Sequence, residues 1–202
     1  MVVGIVDYGA GNLLSVKKAL EHLGVKCKVL ESDADFEEVD GLILPGVGAF
    51  QSAVEKLRSS ELYDGIEDWL LSDKPFLGIC LGMQLLFEGS EEAKEAGGFG
   101  LFEGKVVRFK KGKIPQIGWN QVHLARKSKL MDGIEDGSFF YFLHGYYVET
   151  PEREIVVGLT DYGVEYPSAI EKDNMCSVQF HPEKSGAIGL KLLDNWVRYV
   201  SN

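Results

Sequence analysis

Pro75-Phe76-Leu77-Gly78-Ile79-Cys80-Leu81-Gly82-Met83-Gln84 decides how this chain folds. An apolar, strand-like run over Pro75–Ile79 leads straight to a cysteine between two glycines, and a helix-like segment over Leu81–Phe87 follows at once. A strand that runs directly into a helix must turn sharply, and glycines two positions either side of the turning residue let the backbone do so. Such a turn lifts its apex residue into the open at the carboxyl end of a sheet. In G-x-S-x-G enzymes that residue is the nucleophile. Here a sulfur holds the place, at a helix start whose free N–H groups favour an anion and can stabilise an oxyanion. A single unpaired cysteine is more often a small buried hydrophobe, and Cys27 and Cys176 keep that reading because no such setting surrounds them.

Upstream of the turn, Val2–Val6, Val25–Leu30 and Gly41–Leu44 read as buried strands, the last one stopped by Pro45. Asn12–Leu23 reads as a helix with Leu13, Val16, Leu20 and Leu23 on one stripe and Gly24 at its end. Further helices are expected over Phe50–Arg58 and Leu62–Leu71. Downstream, Glu88–Gly104 is acidic and Gly-rich and reads as a loop. Strand-like runs then follow at Lys105–Phe109, Trp119–His123, Phe139–Leu143, Tyr146–Glu149, Ile155–Thr160 and Cys176–Phe180, before a closing helix at Ile188–Tyr199. A β-α-β first half and a mostly β second half predict an α/β domain with a mixed sheet flanked by helices.

The 202 residues, 45% hydrophobic, suffice for one packed domain without disulfides or metals. A net charge of −10 argues against a nucleic-acid partner, since phosphate backbones need a basic surface, but leaves room for a basic protein face. Three cysteines without C-x-x-C spacing and four histidines without a ligand motif support neither a disulfide framework nor a zinc site. Met1–Val6 lacks the basic lead and long apolar core of a signal peptide, and Phe76–Phe87 is too short to span a bilayer. A reducing, cytosolic compartment is expected.

A sulfur nucleophile needs a base to hand a proton to the leaving amine, and the base needs an orienting group. Gln179-Phe180-His181-Pro182-Glu183 offers both. Pro182 keeps His181 out of the helical region, and residues two apart on an extended segment point the same way, so Glu183 would hold the imidazole tautomer. His22 and His123 have no such neighbours and read as ordinary histidines.

The turn around Cys80 and the His-Pro-Glu segment together resemble the class I, triad-type glutamine amidotransferases. Asp7–Leu13, Leu44-Pro45-Gly46-Val47-Gly48-Ala49-Phe50, Ile117-Gly118-Trp119-Asn120 and Phe140–His144 resemble, within that group, the glutaminase subunit of imidazole glycerol phosphate synthase. The resemblance implies a flavodoxin-like fold with a mostly parallel central sheet. It also implies hydrolysis of L-glutamine to glutamate and ammonia through a thioester on Cys80, with no cofactor. The ammonia would pass to a separate (β/α)8-barrel cyclase subunit. Gly46-Val47-Gly48 resembles the oxyanion strand, with Leu81 N–H as second donor. Gln84 looks placed to hold the substrate, Glu92 (with Glu91 beside it) resembles the partner of the α-ammonium, and Gly145 and Tyr146 resemble the α-carboxylate site. Asn12, Trp119, Tyr141 and Lys184 resemble residues that face the cyclase. Three other readings remain open: a related cysteine hydrolase, the glutaminase subunit of another synthase (anthranilate, guanylate, carbamoyl phosphate or pyridoxal phosphate type), and an idle regulatory subunit.

Overall fold

Successive side chains of a strand point to opposite faces, so a strand buried on both faces needs apolar residues at every position. Strand β1 (Val2–Val6) meets this requirement: Val3 and Ile5 join one hydrophobic cluster and Val6 the other. The computed structural model, which describes residues 1–9, 11–93 and 95–200, repeats the pattern through the centre of the sheet. In β3 (Gly41–Gly46) Ile43 faces one cluster while Leu42 and Leu44 face the other. In β4 (Phe76–Cys80) Leu77 and Ile79 oppose Phe76. Helices cover both faces. On one side lie α1 (Leu13–His22) and α5 (Gly186–Val200), through Val16, Leu20, Leu193 and Trp196. On the other lie α2 (Phe50–Ser59) and α3 (Tyr63–Leu71), through Val54, Leu57, Ile66 and Trp69. Each fully buried Leu or Ile stabilises the fold by about 1.5–3 kcal/mol.

The main sheet has nine strands in the order β2-β1-β3-β4-β12-β11-β10-β7-β8, counting β2 as Lys26–Leu30, β7 as Gln116–Leu124, β8 as Ser138–His144, β10 as Val156–Asp161, β11 as Glu165–Lys172 and β12 as Met175–Val178. From β2 to β12 the strands run parallel, and from β12 to β8 they alternate. A second, three-stranded sheet joins β5 (Phe87–Ser90), β6 (Phe102–Arg108) and β9 (Tyr146–Glu149). The mixed sheet with helices on both faces is the architecture expected. Among the described residues no helix is long and apolar enough to cross a membrane.

Four local expectations change. Pro45 does not stop β3, which continues to Gly46 and pairs Pro45 with Ile79. Leu42 N–H donates to Pro75 on the β4 side, so by alternation the Pro45 nitrogen faces β1, whose pairing with β3 ends at Ile5↔Ile43. No ladder bond is lost there. The helix after Cys80 is a single turn, α4 (Leu81–Gln84), because Phe87 already pairs with Phe102. The expected loop over Glu88–Gly104 therefore carries strand at both ends. Strand β11 escaped notice because Pro167 interrupts its pattern. The proline is tolerated beside a bulge, where the β10 register shifts between Gly158 and Leu159.

Candidate active site

Parallel strands β4 and β12 are neighbours, and their register Val178↔Ile79 brings the residues after both strands to one end of the sheet. Cys80 ends β4, and the segment Gln179–Glu183 continues β12. Adjacency of two carboxyl ends is why sequence-distant halves of the site meet.

Cys80 adopts φ 56° and ψ −104°, a left-handed conformation that a side chain takes up only under constraint. The glycines explain how it is held. A Cβ on Gly82 would stand 1.9 Å from the carbonyl oxygen of Leu44, and one on Gly78 would stand 2.9 Å from the Gly82 carbonyl. The turn is thus pressed against β3 and against itself with no room for side chains. One helical turn carries little macrodipole, so α4 supplies local N–H groups rather than a long-range field.

His181 is fully buried, and its Nδ1 lies 2.8 Å from Oε1 of Glu183, whose side chain is also buried. Glu183 does not reach it along an extended strand. His181 itself is extended, but Pro182–Lys184 form a 3-10 turn that brings Glu183 back to the ring. Ser185 fastens the turn: its Oγ donates to His181 O at 2.6 Å and accepts from Tyr141 N at 3.0 Å. Among the described residues the Nε2 of His181 has no hydrogen bond of ordinary geometry. Burial opposes charge on this ring, yet the Cys80 sulfur first, and Glu183 after it, outweigh burial and raise its pKa from 6.5 to about 10. With Nδ1 occupied by Glu183, Nε2 is the nitrogen that serves the sulfur. A sulfur, an imidazole and a carboxylate thus stand in the order that a nucleophile, a base and an orienting group take in nucleophilic catalysis.

Around this line, Gly46 pairs with Cys80 across the ladder, and Gly48 has φ +106°. A Cβ on Gly46 would fall 2.3 Å from the Tyr8 hydroxyl, which is buried with no hydrogen-bond partner among the described residues. Burial, with Cys80 adding to it, pushes the Tyr8 phenol well up. Glu92 turns to this side and accepts from Phe50 N–H at 2.7 Å, at the start of α2, whereas Glu91 turns to Arg108 N–H. Gln84 is buried and bonded to Tyr146 O. Asn12, expected at a partner surface, is half-buried, and its amide donates to Glu183 at 2.6 Å. It braces the orienting carboxylate. Ala10, in the same motif, lies outside the described residues. Trp119 is 56% exposed and meets Tyr141 edge-on at 6.1 Å, and Lys184 is exposed.

The sequence model of the family described as glutamine amidotransferase class-I matches residues 4–198. The chain is a class-I glutamine amidotransferase. The "Imidazole glycerol phosphate synthase subunit HisH" of Desulfitobacterium hafniense is 51% identical to this amidotransferase over 201 residues, covering 99% of this chain and 95% of that protein. The protein of the same name from Methanocaldococcus jannaschii is 47% identical, over 98% of this chain and all of its own length. Among solved structures, PurLQS from Thermotoga maritima superposes with a TM-score of 0.79 over 98% of both chains at 19% identity, a likeness of fold.

Reading the sequence of this amidotransferase overlooks several supporting residues. Gln179 donates to the Cys80 sulfur, and its place two residues before His181 on a strand end was the available signal. No sequence signal marks the buried group of His144, Tyr166 and Gln116 behind the site. The Nδ1 of His144 meets Tyr146 O at 2.7 Å, and Tyr166 OH lies 3.2 Å from its Nε2. Burial, aided by the nearby His181 charge and opposed by the bond to Tyr146 O, brings the His144 pKa from 6.5 down to about 4. A neutral ring with its proton on Nδ1 accepts a hydrogen bond from Tyr166 OH at Nε2; the hydroxyl has no second hydrogen for the Gln116 amide 2.9 Å away, which therefore presents its NH2.

The two imidazoles pull stability in opposite directions. His181, with its folded pKa raised, contributes stability that is complete below about 6.5 and is lost as pH climbs through about 10. His144, with its folded pKa lowered, contributes stability that is complete above about 6.5 and is lost as pH falls through about 4. Melting temperature is therefore expected to peak between these flanks. A His181→Asn variant should flatten the alkaline flank and His144→Gln the acid one in calorimetric scans; unchanged flanks would contradict the assignment.

Proposed function

We propose that this chain is the glutaminase subunit of imidazole glycerol phosphate synthase and makes ammonia for a separate cyclase subunit. The observation that carries the reading is the buried imidazole of His181, set between the Cys80 sulfur and the Glu183 carboxylate. Its near-full-length likeness to proteins of that name supports the choice of synthase. The sulfur attacks the side-chain carboxamide carbon of glutamine. Backbone N–H groups of Leu81 and the Gly46-Val47-Gly48 segment hold the oxyanion. His181 gives its Nε2 proton to the leaving nitrogen, the C–N bond breaks, and ammonia departs from a thioester on Cys80. Water then attacks the thioester, His181 takes its proton, and glutamate leaves. Gln84, Glu92 and the backbone of Gly145 and Tyr146 are the proposed holders of glutamine, within one amidotransferase domain over 1–202.

Ammonia stays nucleophilic only while unprotonated and out of water, so a sealed junction with the cyclase is required. Ile117 and Trp119 share a face of β7, and the register Trp119↔Tyr141 sets Tyr141 beside them. With 57% and 56% exposure, Ile117 and Trp119 form an apolar surface, and Tyr141 beside them accepts from His181 N–H at 2.8 Å, with exposed Lys184 following Glu183 in the chain. This is the proposed cyclase face. Glutamine hydrolysis measured with and without a cyclase subunit and its ligand tests the reading: turnover should rise with the partner. A Trp119→Glu variant should weaken association about 30-fold or more by titration, the cost of losing a central aromatic anchor. Activity on peptides but not on glutamine, or tight binding only to a partner that is not a barrel, would refute it.

A further inference from the structure

Gln179 is fully buried one residue beyond the last pair of the β12–β4 ladder, Val178↔Ile79. That register sets it beside Cys80, and its Nε2 donates to the sulfur at 3.5 Å. Its Oε1 accepts from Nε2 of Gln84 at 2.9 Å, and the same nitrogen of Gln84 donates to Tyr146 O at 3.1 Å. Chemistry fixes which way each amide faces. A main-chain carbonyl only accepts, so Gln84 must turn its NH2 to Tyr146. The second hydrogen of that NH2 then needs an oxygen, which is Oε1 of Gln179. The NH2 of Gln179 is left for the sulfur. Both hydrogens of Gln84 are now taken, and Oε1 is the polar atom its side chain has left for a ligand.

We propose that Gln179 is a positioning residue with two ends. Its NH2 points a donor at the Cys80 sulfur, which also faces Leu143 O at 3.8 Å, and so fixes the direction of attack, and its carbonyl fixes Gln84 as an acceptor that selects a carboxamide over a carboxylate. The proposal rests on the glutaminase reading. The N–H of Gln179, on a fully buried side chain, is aimed at the sulfur and orients it. At the other end, glutamine carries an NH2 that Oε1 of Gln84 can accept from. Glutamate carries only acceptors at neutral pH, so two oxygens would face each other. If Gln84 were free to turn its own NH2 inward, that distinction would vanish. The carbonyls of Tyr146 and Gln179 prevent the turn.

Two substitutions separate the ends. Gln179→Met has neither donor nor acceptor, whereas Gln179→Glu keeps an acceptor for Gln84 and has no donor for the sulfur at neutral pH. The rate of Cys80 alkylation by iodoacetamide at neutral pH, followed by peptide mass spectrometry, reads the sulfur end. Inhibition by glutamate relative to the KM for glutamine, measured with the cyclase subunit, reads the Gln84 end. In both variants Cys80 should be alkylated about tenfold more slowly at neutral pH, for want of the donor at its sulfur. Only Gln179→Met should lose discrimination against glutamate, by about tenfold. If methionine prevents folding, Gln179→Glu still carries the alkylation arm. A wild-type alkylation rate in every folded variant overturns the proposal, as does full discrimination in Gln179→Met or a change confined to melting temperature. Alkylation needs no glutamine, so failure of wild-type protein to hydrolyse glutamine would sink the glutaminase reading while the donor to sulfur is still judged on its own.

Discussion

Replacing Cys80 with alanine is expected to lower glutamine hydrolysis by about 10⁴-fold or more, measured with the cyclase subunit present, while leaving the fold intact. Removal of one member of a nucleophile–base–orienter line costs about as much as removing the line. Here the line has no understudy. Cys27 and Cys176 are the other free thiols, and burial pushes both thiols up, to about 11 for Cys27 and further for Cys176. The alanine variant also removes the largest favourable influence on His181, so the alkaline flank of its stability should shift toward neutral pH. Glutamine analogues that alkylate nucleophiles should label wild-type protein at Cys80 and leave the variant unlabelled. Retention of more than a hundredth of the activity would move the chemistry away from this sulfur.

What the sequence made legible follows from how local each signal was. The turn at Cys80 needs glycines at two fixed offsets, and the base and its carboxylate stand two residues apart, so both are visible in short windows. Their meeting depends on β4 and β12 being neighbours, which no window of sequence contains. The same limit explains what short windows missed. Asn12 belongs to the first loop and contacts Glu183 across the fold, so its bracing role could not be read from its own motif. Glu183 lies on a 3-10 turn rather than a strand because Ser185 bonds back to His181 and to Tyr141. Strand β11 was hidden by Pro167, whose tolerance depends on a bulge in a neighbouring strand. Gln179 sat in plain view inside the motif, but its two bonds run to residues far away in sequence.

The glycines of the turn carry the second large effect. Gly82→Ala is expected to destabilise the protein by about 3 kcal/mol or more, at the upper end of overpacking costs. The added Cβ would stand 1.9 Å from the Leu44 carbonyl oxygen and 3.0 Å from its carbon. Backbone on a fully buried strand cannot move aside as the end of a flexible side chain can. Relief therefore requires β3 and β4 to part or the Cys80 turn to open. Either would draw the Gly46↔Cys80 pair apart and, with it, the proposed oxyanion donors from the sulfur. The loss of activity in any folded fraction should thus exceed what the fall in stability accounts for. Gly89→Ala is the matched control. It too lies in a strand, and its Cβ would meet nothing nearer than 4.0 Å. Urea unfolding of the two variants should separate their midpoints widely. Equal midpoints would mean that the glycine after Leu81 is not required by the close approach of α4 to β3, and the physical account of the turn would fail with it.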